Sequence, residues 1–136
     1  MAAAALAYVL SLVVFAAIDL AWLAVMGPRL YRPMLGDILL GTVKIAPAVL
    51  FYLIYPVGLT VLVVLPALRE GSLVAALALG ALFGLVSYAT YGLTNFATLR
   101  NWTLQLTVID LVYGAALSAL ASALSYVGTA RITGSP

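Results

Sequence analysis

Two aspartates sit where a charged side chain is least at home. Asp110 lies in Ile109-Asp110-Leu111-Val112-Tyr113-Gly114 and Asp19 in the near copy Ile18-Asp19-Leu20-Ala21-Trp22. Each falls inside an apolar run long enough to cross a bilayer. A bare carboxylate in hydrocarbon is costly, so each needs a donor, a proton, a cation or water, and an intramembrane acid marks a functional position by default. Such a pair can hold a ligand or carry a proton, and two acids close together ionise as a coupled pair. The same side chains can also hydrogen-bond neighbouring helices and fix their register. The residue types leave both roles open.

The spacing gives each acid an aromatic companion. Asp19 and Trp22 are three apart, as are Asp110 and Tyr113, while Tyr91 and Asn95 are four apart, so each pair shares a helix face. Asp19 lies about seven residues before the end of the first apolar run and Asp110 about six after the start of the last; at about 1.5 Å per residue both sit roughly 10 Å inside the same membrane face. Tyr52 and Tyr88 fall at a similar depth, with Asn95 nearer the surface. The candidate ligand-binding set is therefore Asp19, Trp22, Tyr52, Tyr88, Tyr91, Asn95, Asp110 and Tyr113. The opposite half, including 59–65 and 73–79, is almost wholly Leu, Val, Ala and Thr. A through-pore needs polar groups at every level, so a one-sided pocket is expected.

The elements that place these residues follow from composition. The chain has 136 residues, 66% apolar and 7% charged, with a mean hydropathy of +1.23. Soluble domains carry about a quarter charged residues, so this is an integral membrane protein with room for one domain. The first apolar run lacks a basic leader and exceeds the apolar core of a secretory signal, which makes it a retained span. The hydropathy pattern predicts an all-α four-helix bundle with spans near 4–26, 46–65, 73–93 and 104–127, and a flexible tail over 128–136. Gly27-Pro28 and Pro66 are expected to stop helices, and Pro56 to kink the second span and free the carbonyl of Tyr52. Between spans one and two, Met34 to Leu40 reads as a short interfacial piece.

Gly80 and Gly84 form a small-xxx-small face, and Gly114, Ser118 and Ser122 align on the fourth span. Such faces allow close helix approach, within the bundle, in a homo-oligomer or in a larger membrane complex. Arg29, Arg32, Arg100 and Trp102 are placed as a headgroup rim. Arg29, Arg32, Lys44 and Arg100 lie on one side against Arg69 and Arg131 on the other, which favours the first side as cytoplasmic.

The sequence also excludes much. It has no cysteine and no histidine, which removes thiolate chemistry, disulfides and the usual ligands of zinc and haem. No metal site and no cofactor are expected, no catalytic residue is assigned, and a net charge of +2 gives no footprint for nucleic acid.

At Phe15 to Leu23 (FAAIDLAWL), Val64 to Leu68 (VLPAL), Gly80 to Leu99 (GALFGLVSYATYGLTNFATL) and Ile109 to Gly114 (IDLVYG), the chain resembles a family of small four-span bacterial membrane proteins, catalogued as a domain of unknown function, number two-one-seven-seven. The resemblance implies a four-span fold and the site positions, and carries no activity. It places Gly92 where the family usually has aspartate, and Tyr113 where it usually has tryptophan. Three functions are open: an intramembrane site that binds or processes a lipid or small amphiphile, a non-enzymatic subunit or assembly factor of a larger membrane complex, and a small dimeric transporter. The expected location is the bacterial cytoplasmic (inner) membrane.

Overall fold

A computed structural model describes residues 1–134. Four helices are long and apolar enough to cross a membrane: α1 (Ala2–Leu35), α2 (Ile45–Glu70), α3 (Leu73–Thr98) and α4 (Leu104–Thr133). There is no strand among the described residues. The fold is the expected all-α membrane bundle.

The helix ends differ from expectation, for one physical reason. Gly27-Pro28 does not stop α1, which passes through a π-turn at Gly27–Tyr31, where Arg32 N–H donates to the carbonyl of Gly27. Pro66 does not stop α2 either, because a second π-turn at Thr60–Val64 precedes it, closed by Leu65 N–H on the carbonyl of Thr60. Pro33 and Pro66 each occupy the first turn of the α-helical stretch after a π-turn. A proline ring clashes with the carbonyl four residues back in a regular α-helix; a wider turn at that point removes the clash and lets the helix go on. At Pro56 the neighbouring carbonyl of Leu53 takes the hydroxyl of Tyr8 at 2.9 Å. Met34 and Leu35 end α1, so the interfacial piece expected at Met34 to Leu40 is shorter, and Ile38, Leu39 and Leu40 are exposed.

The two remaining connections are short and capped. Gly71 adopts a left-handed conformation at φ 63° and ends α2, a position that suits glycine. Ser72 Oγ then accepts Ala75 N–H at 3.0 Å, and Thr103 Oγ1 accepts Leu106 N–H at 3.1 Å, each satisfying an orphan amide of a new helix. At its far end α4 continues past Val127. The expected tail from Gly128 is helical to Thr133, with Thr129 and Ala130 buried and Gly128 against Leu10. Packing on α1 holds this stretch in the bundle; Ser135 and Pro136 lie outside the described residues.

Helix α4 is the centre of the bundle and touches the other three. Its seam with α3 is built from the small residues singled out in the sequence. A Cβ at Gly84 would stand 2.2 Å from the carbonyl oxygen of Gly114, and one at Gly80 2.8 Å from that of Ser118. Gly80, Gly84, Gly114, Ser118 and Ser122 are all buried here, so these faces are occupied within the chain. Phe15, Leu59, Val63, Leu117 and Ala121 form the core beside them.

Gly84→Ala is expected to lower stability by about 1–3 kcal/mol, the usual range for overpacking. Gly27→Ala, with no atom within 4 Å of its Cβ, is expected to be neutral or mildly stabilising. Thermal unfolding in detergent checks the pair, and equal midpoints would contradict the seam.

Candidate functional site

Both aspartates point into the bundle: Asp19 on α1 is 6% exposed and Asp110 on α4 is 3% exposed. Tyr52 on α2 donates its hydroxyl to Asp19 Oδ2 at 2.5 Å, and Tyr113 on α4 donates to Asp19 Oδ1 at 2.7 Å. Tyr31 donates to Asp110 Oδ1 at 2.5 Å and accepts Trp22 Nε1–H at 3.1 Å. The Trp22 and Tyr113 rings stack, with centroids 3.9 Å apart and planes 14° from parallel. The network therefore closes on itself across three helices.

Tyr31 is the member that sequence reasoning missed. The span expected over 4–26 ends before it, which leaves Tyr31 in the first connection. In an unbroken α-helix Tyr31 would lie about 120° round the axis from Asp19; the residue absorbed by the π-turn brings it back to about 20°. The signal was Pro33 five residues after Pro28, a second proline that a regular α-helix does not accommodate and a widened turn does.

Beside the network lies a cavity of about 900 Å³, lined by Asp19, Trp22, Tyr88, Tyr91, Asp110 and Tyr113 of the expected set, with Tyr31, Tyr55 and Ser87 added. Its other walls are apolar and include Leu23, Leu35, Leu39, Val43 and Phe51. Two expected residues stand apart. Tyr52 holds Asp19 from outside the lining, and Asn95 is half-buried on α3 and does not reach the cavity. Tyr88 reaches it because Gly114 has no side chain: a Cβ there would lie 2.1 Å from Tyr88 Cγ. The role of Gly114 is thus to seat an aromatic wall as well as to close a seam.

The residues expected at the rim fall in different places. Arg32 lines the cavity mouth, Arg29 is exposed outside it, and Arg100 borders a separate hollow of about 360 Å³ with Asp37 and Asn101. Trp102 is not a rim residue. It is 5% exposed, donates Nε1–H to Thr107 Oγ1 at 3.0 Å and packs with Leu30, Leu35 and Leu106. The continuation of α1 past Pro28 supplies Leu30 and Leu35 and so covers it. Gly92 has room for a Cβ, 3.7 Å from Thr107 Cγ2, but does not line the cavity.

In the opposite half the sparse hydroxyls are gathered between helices. Ser11 Oγ donates to Ser125 Oγ at 3.0 Å, and Ser125 Oγ donates to the carbonyl of Ala7 at 2.9 Å. All of Ser11, Ser118, Ser122 and Ser125 are fully buried.

A family model described as predicted membrane protein (DUF2177) matches residues 4–127. The chain belongs to that family. The match takes in both aspartates, the tyrosines that hold them and all four helices, and the family has no assigned function. No match was found among curated proteins or among solved structures.

Tyr31→Phe removes the donor to Asp110 and the acceptor of Trp22 together, and is expected to cost about 1–2 kcal/mol. Asn95→Ala should cost far less. Unfolding midpoints of the two variants decide the matter, and a Tyr31→Phe protein as stable as the wild type would contradict the network.

Proposed function

We propose that this integral membrane protein binds a lipid or small amphiphile in a pocket open on one side of the bilayer. One observation carries the reading: a cavity of about 900 Å³ is lined by both buried carboxylates and by apolar side chains that include Leu23, Leu35, Leu39, Val43 and Phe51. A site for an amphiphile needs that division, since the chain must find Leu, Val and Phe while the head meets polar groups. The volume falls in the range of ligand pockets, about 300–1,000 Å³. The mouth, with Arg32, Leu39 and Val43, lies by the first connection, and the count of basic residues supports a cytoplasmic opening in a bacterial inner membrane.

The competing readings have less support. A subunit or homo-oligomer docking through Gly80, Gly84, Gly114, Ser118 and Ser122 would need faces that α3 and α4 present to each other. A dimeric transporter would need a route through the half where Ser11 and Ser125 bond helix to helix.

Purification in a mild neutral detergent, followed by mass spectrometry of the intact protein and its extract, tests the reading. The wild type is expected to carry a bound amphiphile near one per chain. The Asp19→Asn/Asp110→Asn protein is expected to fold and to lose it, because the amide keeps shape and hydrogen bonding but not the possible charge. A wild type free of any retained amphiphile, or equal retention in both proteins, would sink the proposal.

A further inference from the structure

The polar end of the pocket has a chemical bias that narrows its ligand. Two carboxylates line it, and the neutralising groups they meet inside the bundle are tyrosine hydroxyls, not cations. Both oxygens of Asp19 accept tyrosine hydroxyls, whereas Asp110 is held through Oδ1 alone, and Oδ2 has no donor among the described residues. An unpaired acceptor on a cavity wall asks for a donor from the ligand, and in a low-dielectric site a charged donor gains most.

The aromatic lining has the same preference. Tyr88 stands nearly perpendicular to Tyr55 and to Tyr113, at 86° and 84° with centroids 6.2 and 6.3 Å apart, and Trp22 stacks behind Tyr113. Rings set at right angles offer π faces around a corner, and the negative face of an aromatic ring attracts ammonium groups. An anion meets hydroxyls but no cation at that end. The Trp22 N–H is spent on Tyr31, and no lysine lines the cavity, which leaves Arg32 at the mouth. A phosphate or carboxylate head would have to approach two carboxyl groups, neither paired with a cation.

We infer that the ligand head is an ammonium group, seated among Tyr55, Tyr88 and Tyr113 with an N–H on Asp110 Oδ2, and that the ligand is therefore a lipophilic amine. The inference rests on the pocket reading above and names its ligand class. Where the amphiphile also carries an acidic group, Arg32 is the residue placed to meet it at the mouth.

The test uses the full chain in dodecyl maltoside, with Trp102→Phe as background so that fluorescence reports Trp22 in the cavity wall. Decylammonium and decyl phosphate are titrated below their micelle concentrations and decanol below its solubility limit, so that tail length is constant and the head alone differs. Decylammonium is expected to give a saturable change with an affinity about tenfold or more above the other two probes, as a desolvated cation among aromatic faces and a carboxylate should. Asp110→Asn should reduce that preference to near unity, and Tyr88→Leu should weaken it while leaving both carboxylates in place. The probe comparison on the background protein decides by itself if a variant fails to fold. A preference for decyl phosphate, or equal affinity for all heads, would overturn the ammonium inference and leave the pocket standing. No saturable change with any probe would overturn both.

Discussion

Two carboxylates held in the apolar interior of a membrane bundle must be satisfied there, and the architecture around them follows from that need. An aspartate at the centre of a membrane helix costs about 2.5–3.5 kcal/mol on insertion scales, and a hydrogen bond to a charged group returns about 1.5–3 kcal/mol. One donor per acid is thus comparable to the cost and two exceed it. Tyr52 and Tyr113 supply two for Asp19, from α2 and α4, while Tyr31 supplies one for Asp110. The less satisfied acid, Asp110, has one oxygen without a donor among the described residues and lines the cavity. The π-turn that brings Tyr31 round the helix and the stack of Trp22 on Tyr113 hold these donors in place.

The sidedness of the bundle is a matter of side-chain size. Where α3 meets α4 through Gly80, Gly84, Ser118 and Ser122, the backbones approach closely and leave no room. One or two turns further on, the same two helices carry Tyr88, Tyr91 and Tyr113, and the first helix carries Trp22. Rings of that size cannot pack as closely as glycine and serine, so the helices leave a cavity at this end. Gly114 marks the change, since its missing side chain is the space that the ring of Tyr88 fills.

Hydropathy and depth made the four spans, the burial of Asp19 and Asp110 and their shared membrane half legible in the sequence. Periodicity grouped Trp22 with Asp19 and Tyr113 with Asp110; the structure crosses these pairs, with Tyr113 donating to Asp19 and Trp22 linked to Asp110 through Tyr31. The misreadings at Pro28 and Pro66 share a cause: the bar on proline within a helix holds for regular α geometry and is lifted by a π-turn, which hydropathy does not reveal. Tyr31 was missed and Trp102 misplaced as a consequence. Once α1 runs to Leu35, Tyr31 turns inward to Asp110 and Leu30 and Leu35 bury Trp102. Asn95, grouped by its spacing from Tyr91, does hydrogen-bond that tyrosine, but spacing fixes a face and not whether that face reaches the cavity, whose lining leaves Asn95 out.

The central claim is that this polar end is an accessible cavity on one side of the membrane rather than a sealed set of helix contacts. The chain has no cysteine, so a single Ser87→Cys substitution in the cavity lining gives one unambiguous probe. In vesicles of known orientation, a membrane-impermeant maleimide is expected to label it from the side of the basic first connection and not from the other. Protection of Cys at that position from both sides, or labelling only from the side of the termini, would contradict the account.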